Sequence, residues 1–201
     1  MLSVGVLTYT LNKDFESMTK IALDSYRNCD ELILVENGGK ANYNCDTYVR
    51  HKTNLDFTKG VNSIFKIARG DYILFCANDT YLEKGNIRDL CIPDTVTSPI
   101  ISTQNFNTPI SGSSFCVPKN VLDKVGMLDE SMETYYSDTE FIDRLNYFKI
   151  KMTFVSSVVV YHYVSKTVNA TNKNNSQITS RDFEFYKKAI SNYDKYTHTI
   201  K

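Results

Sequence analysis

The sequence has 201 residues with 42 % hydrophobic content, enough for one sizeable core and too little for two independent ones, so a single domain over 1–201 is expected. Lysine plus arginine and aspartate plus glutamate each total 23, so no net field draws the chain to nucleic acid or to an anionic membrane, and partners must be recognised locally. Five scattered cysteines (Cys29, Cys45, Cys76, Cys91, Cys116) without a Cys-x-x-Cys pair suit reduced thiols better than a disulfide framework or a zinc site.

In chain order, the residues from Ser3 to Tyr9 read as a short, β-branched, apolar strand. A helix follows, with Asp14 as its N-cap and Phe15, Met18, Ile21, Ala22 and Ser25 at helical spacing. "ELILVENGG" supplies a continuous apolar strand from Leu32 to Val35 that breaks at Glu36 and Asn37. "YVRHK" is a further short strand, the stretch from Gly60 to Arg69 a helix, and the stretch from Asp71 to Cys76 a central strand. Apolar strands alternating with helices predict a mostly parallel central sheet covered on both sides, in a β-α-β-β-α-β order. The second half continues with strands in "VTSPIIS" and "GSSFCVP", then a helix from Pro118 to Val125. A further helix starts near Ser137 with Phe141, Leu145 and Phe148 as its buried stripe, and "KMTFVSSVVVYHYV" is a β-rich run ending at His162. Residues 165–178 are polar and predict a mobile loop. An amphipathic helix from about Arg181 to Tyr196 follows, its stripe of Phe183, Tyr186, Ala189, Ile190 and Tyr193 packing on the domain. No run approaches the roughly 18 apolar residues of a membrane helix, and "MLSVGVLTYT" has no basic leader before an apolar stretch, so a soluble, cytoplasmic protein without an integral membrane segment is expected.

In an open parallel sheet, ligands bind at the carboxyl ends of the strands. Three predicted strand ends are polar: Thr8-Tyr9-Thr10, Glu36-Asn37 and Asn78-Asp79-Thr80. Each taken alone is equally a turn or a helix cap. Likewise, Ser137, Asp138 and Glu140 are equally residues that cap a helix and favour its positive end. His162 after its β-branched run is equally a structural histidine.

The order of these segments resembles the inverting, GT-A-fold glycosyltransferases of family 2, in particular the rhamnosyltransferase-like branch, over nearly the whole chain. "NLDFTKGVN" is similar to the family's N-x-G-F-x-x-G-x-N segment, with Asn54, Phe57, Gly60 and Asn62 in register. The family's metal and diphosphate motif, Asp-x-Asp or Asn-x-Asp, falls on Ala77-Asn78-Asp79, where Ala77 stands in place of the first Asp or Asn and Asp79 is the single carboxylate. "SGSSFCVPKNVLDKVGMLDESMETYYSDTEFIDRL" resembles the acceptor-side pattern, aligning Gly112, Gly126, Asp129, Glu130, Asp138 and Arg144, with Glu140 as the second acid. The resemblance implies a Rossmann-like nucleotide-sugar-binding half (1–92), an acceptor and catalytic half (93–164), and a loop and C-terminal helix (165–201). It implies a UDP, dTDP or GDP sugar donor held by Thr8, Tyr9, Glu36, Asn37, Asn62, Asn78 and Asp79, and a glycan or other hydroxyl acceptor. A divalent metal, Mn²⁺ or Mg²⁺, would sit on Asp79 and His162, with Asp138 as general base and Lys166 closing over the phosphates. Two other readings stand beside it: a degenerate relative that binds a nucleotide sugar or glycan without turnover, suggested by Ala77 and Glu36, and a nucleotidyltransferase. "LTYTLNKD" lacks the Gly-rich, Arg-containing loop the latter requires.

Overall fold

Strand β1 (Leu2–Thr8) packs between β2 (Glu31–Asn37) and β4 (Tyr72–Ala77), and β3 (Thr47–His51) adds outside β2, all four parallel. The computed structural model describes residues 1–104, 108–163 and 175–193. Beyond β4 come β5 (Thr80–Lys84), a 3₁₀ turn (Ile87–Leu90), β6 (Thr95–Ile101), β7 (Ser114–Pro118) and β8 (Lys151–His162). They complete an eight-stranded sheet of order β3-β2-β1-β4-β7-β6-β8-β5. In it β4 and β7, β6 and β7, and β5 and β8 run antiparallel, while β6 and β8 run parallel.

Period-two alternation sorts the strand residues between two cores. Ile33, Val35, Ile73 and Phe75 face one side, and Leu32, Leu34, Leu74 and Cys76 the other. Helices α2 (Asp56–Ile67), α3 (Lys119–Val125) and α4 (Ser137–Tyr147) cover the first side through Val61, Ile64, Val121, Leu122, Phe141 and Leu145. Helix α1 (Lys13–Ser25) and the 3₁₀ turn cover the second through Ala22, Leu23, Ile87 and Leu90. Burial on both faces explains the apolar interiors of β1, β2 and β4, with polar residues such as Ser3, Thr8, Glu31 and Glu36 towards the strand ends. Gly5 has a steric reason: a Cβ there would collide with the Ile64 side chain of α2. Its absence lets α2 lie close on the sheet.

Several local expectations are corrected. The cap of α1 is Asn12, whose Oδ1 accepts the N–H groups of Asp14 (3.0 Å) and Phe15 (3.2 Å). Its buried stripe is Phe15, Thr19, Ala22 and Leu23, while Ile21 is exposed. Helix α2 begins one turn before Gly60. Strand β5, which the sequence reading does not anticipate, exists because Thr80, Tyr81 and Leu82 pair with His162, Tyr161 and Val160 of β8. The final helix, α5 (Asn175–Ile190), starts earlier than expected, so residues 175–178 of the predicted loop are helical. Its buried residues are Asp182 and Ala189, and Phe183 and Ile190 are exposed. The rest of that loop, with Lys166, and the stretch at Lys195 and Tyr196 lie outside the described residues. All five cysteines are free thiols, and among the described residues no helix is long and apolar enough to cross a membrane.

Candidate active site

Because β3, β2, β1 and β4 are parallel, their carboxyl ends meet on one edge. Register places Thr8 beside Glu36 and Leu7 beside Ala77. A cavity of about 250 Å³ opens at this edge, and Tyr9, Asn37, Asn78, Asp79, Asp138 and His162 all line it. Thr8, Glu36 and Asn62 do not.

Thr8 is buried and shares a hydrogen bond with the hydroxyl of Thr19 (2.9 Å), which also accepts the amide N–H of Asn78 (3.2 Å). Glu36 is fully buried, and its Oε1 accepts the N–H groups of Thr10 and Gly39, each at 3.0 Å. It ties the loop after β1 to the loop after β2. Asn62 is buried away from the cavity wall, where its amide donates to the Leu128 carbonyl (2.9 Å) and to Glu130 Oε1 (3.0 Å) and accepts the Leu128 N–H (3.1 Å). With every polar atom so engaged, Asn62 fastens α2 to the loop before α4 and lies outside the lining of the cavity.

Asp79 stands two residues after the end of β4, where the chain turns into β5. The antiparallel pairing of β5 with β8 brings His162 alongside, and the Tyr163 N–H donates to the Asp79 carbonyl (2.9 Å). His162 Nε2 lies 3.3 Å from Asp79 Oδ1, both side chains being largely buried. Nδ1 of His162 lies 3.0 Å from Gln104 Oε1. If Nδ1 carries the proton donated to Gln104, the Nε2 lone pair faces a carboxylate oxygen, two acceptors together. A proton or a cation between them resolves that opposition, and a ligand imidazole oriented through its other nitrogen is the arrangement metal sites use. Among the described residues, no group of three or more His, Cys, Asp or Glu is placed to hold a metal ion. A divalent ion here would have Asp79 and His162 as two protein ligands among the described residues.

Across the cavity, Asp138 occupies the first turn of α4, with Oδ1 accepting the Thr139 N–H (2.8 Å). Gly112 lies beside this carboxylate: a Cβ there would stand at van der Waals distance from Phe57 (3.4 Å) and Asp138 Oδ2 (3.6 Å). The floor is aromatic: Phe57 and Phe75 line the cavity with ring centroids 5.7 Å apart, and the contacts continue through Phe115 to Phe141 of α4.

Sequence reasoning missed the contribution of α5. Asp182 is completely buried and accepts the N–H groups of Thr134 (2.9 Å) and Tyr135 (3.0 Å), both cavity residues. Arg181 bridges Asp182 and Glu133. Tyr136, in the left-handed region at φ 63°, stacks on Tyr186 and contacts Phe183, and Asn175 and Ile178 of α5 complete the wall. Tyr186 donates to Asp143 (2.7 Å), a bond that with burial pushes its hydroxyl up to about 12 and keeps it a donor at neutral pH. The one available signal, an acid amid the apolar spacing of "RDFEFY", looks in sequence like a solvated residue.

Burial by itself would raise the Asp182 carboxyl, but the N–H groups of Thr134 and Tyr135 with Arg181 outweigh it and hold it below its ordinary 3.8. A depressed carboxyl contributes stability that is present above its unfolded value and is lost as pH falls through the folded value. The clamp on residues 133–135 is thus expected to weaken below about pH 4. Asp182→Ala, which leaves two buried N–H groups unpaired, is expected to cost about 1–3 kcal/mol at neutral pH, and less as pH falls, in urea denaturation. A cost independent of pH would rule out the charged clamp.

No protein-family model matches the sequence, and no curated protein matches it. Solved structures do. A crystal structure of GalNAc-T7 with UDP, GalNAc and Mn²⁺ superposes with a TM-score of 0.66 at 11 % identity, covering 81 % of this chain and 43 % of that one. The mannosyltransferase PcManGT from Pyrobaculum calidifontis, in complex with GDP-Man and Mn²⁺, gives 0.64 at 15 % identity over 83 % of this chain and 57 % of its own. S. aureus TarS 1–349 in complex with UDP gives 0.62 at 16 % identity over 95 % and 72 %. The chain thus spans about half the length of the first two. These likenesses establish a GT-A-like glycosyltransferase fold.

Proposed function

We propose that this chain is an inverting, metal-assisted glycosyltransferase of the family 2 type, moving a sugar from a UDP, dTDP or GDP donor to a hydroxyl of a glycan or other acceptor. The carrying observation is that Asp79 with His162, and Asp138, line one cavity at the carboxyl edge of the sheet. In this reading residues 1–92 bind the nucleotide, and 93–164 bring the acceptor and the base.

Asp79 and His162 would hold the cation, Mn²⁺ or Mg²⁺, which when bound supplies positive charge against the diphosphate. Asn78 and Tyr9 bind and orient the donor, while Asn37 shapes the wall by fixing the turn of residues 54–56. Asp138 removes the proton from the acceptor hydroxyl as its oxygen forms a bond to the anomeric carbon. The bond from that carbon to the diphosphate oxygen breaks on the opposite face, and the electron pair leaves with the nucleotide. One displacement inverts the configuration.

The test is calorimetry of UDP, dTDP and GDP with and without Mn²⁺, followed by transfer and hydrolysis assays on their sugars. Mn²⁺ is expected to strengthen binding, and Asp79→Ala or His162→Ala to remove that gain, a loss of roughly 10- to 100-fold. No nucleotide binding under any condition would reject the proposal. A second reading is favoured by Ala77 in place of the motif's Asp or Asn: a protein that binds the nucleotide sugar without turnover. Metal-dependent binding with no reaction on any acceptor would select it.

A further inference from the structure

The backbone of His162 is fixed from two sides. On one side the Ser102 N–H donates to the Val160 carbonyl (3.0 Å) and the Thr103 hydroxyl donates to the His162 carbonyl (2.9 Å). On the other, Thr80 pairs with His162 across β5, and the Tyr163 N–H reaches the Asp79 carbonyl. These bonds hold the main chain and leave the imidazole two orientations, related by a half turn about the bond from Cβ to the ring. In one, Nε2 faces Asp79. In the other, Cε1 takes that place and Cδ2 replaces Nδ1, and a ring carbon neither takes a proton nor holds a cation there.

Gln104 makes the choice between them. It stands half-buried, three residues beyond the end of β6, with Oε1 3.0 Å from His162 Nδ1. An amide oxygen only accepts, so the nitrogen facing it carries a hydrogen. In the turned ring this oxygen would meet a carbon and lose its bond. One contact thus sets both the orientation of the ring and the nitrogen that keeps its proton, and it leaves Nε2 3.3 Å from Asp79 Oδ1. We propose that Gln104 is a positioning residue for the cation site, its side-chain oxygen selecting the ring orientation and the protonated Nδ1 of His162 that direct Nε2 at Asp79 and at a divalent ion between them. An imidazole held through its other nitrogen is already ordered when the cation arrives and is the more basic for that bond. The assignment rests on the cation reading of Asp79 and His162.

The experiment compares the parent chain with Gln104→Leu, which keeps the bulk and removes the acceptor, and Gln104→Glu, which restores an acceptor oxygen. The chain has three histidines, so NMR of isotope-labelled histidine nitrogens at neutral pH identifies His162 by the signals that vanish in His162→Ala. Nδ1 of His162 is expected to carry a proton in the parent and in Gln104→Glu, and to lose it in Gln104→Leu. Mn²⁺ affinity, measured by calorimetry with the metal alone and with UDP present, is expected to fall roughly 10- to 100-fold in Gln104→Leu and to be kept in Gln104→Glu. A glutamine that only supported the fold would lower the melting temperature and leave both readouts where they were, which overturns the assignment. So does an Nδ1 without a proton in the parent, or an equal loss of Mn²⁺ affinity in both variants. A parent chain that binds no Mn²⁺ in either condition rejects the cation reading instead, and the Nδ1 proton then decides separately whether Gln104 orients the ring.

Discussion

Asp138→Asn is expected to slow sugar transfer by about 10²–10⁴-fold, the ordinary contribution of a positioned general base, while leaving nucleotide affinity unchanged. The expectation belongs to the proposed reaction and follows from position. Asp138 stands at the start of α4, fixed on one oxygen by the Thr139 N–H, with its other oxygen beside Gly112. Asparagine keeps the size and the hydrogen bond to residue 139 but cannot take a proton. A loss confined to kcat, with the Kd for nucleotide and Mn²⁺ intact, is what a base predicts. Equal loss in kcat and in nucleotide affinity would make Asp138 a binding residue, and an unchanged rate would remove it from the chemistry.

Breaking the ion pair beneath Asp138 is expected to destabilise the protein by about 3–5 kcal/mol, the usual result of leaving one buried charge without its partner. Glu140 and Arg144 lie one turn apart on α4, almost wholly buried, with Arg144 Nη2 2.7 Å from Glu140 Oε2 and Nη1 donating to the Val125 carbonyl (2.9 Å). The guanidinium also covers the Phe141 ring. Glu140→Gln and Arg144→Met should each lower the urea midpoint substantially. The double variant Glu140→Leu with Arg144→Met should lose less than the sum of two single changes, since no lone charge remains buried. Additive losses would show that the two side chains stabilise α4 separately. Family resemblance makes Glu140 look like a second acid of the site, whereas the structure uses it to pin the helix that carries Asp138.

The fold was largely legible because its signals are local. Apolar runs in β1, β2 and β4, buried on both faces, can be read without knowing their neighbours, and so can the helices between them. Strand β5 was not, since "TYLEK" becomes a strand only by pairing with β8, some eighty residues away. The ends of α1 and α2 moved for a related reason. Asn12 and Asp14 are both good caps in sequence, and packing against the sheet selects which turn begins the helix. Asp182 stayed hidden because a buried acid and a solvated one share the same letter.

By itself, the sequence determined the alternation of strands and helices, the two-sided burial of β1, β2 and β4, and the polar residues that follow or end them. These follow from side-chain periodicity and turn chemistry, which act over a few residues. Only the tertiary structure decided which of those polar residues face the cavity. Thr8, Glu36 and Asn62 lie outside its lining, bonded to helix α1, to the loops after β1 and β2 and to the loop before α4, while Asp79 and His162 meet because two antiparallel strands bring them side by side. It also decided that a left-handed Asp56 and a clamp from the distant helix α5 shape the wall around Asp138. Direction and pairing across long chain separations are properties of the packed sheet, and no local pattern encodes them.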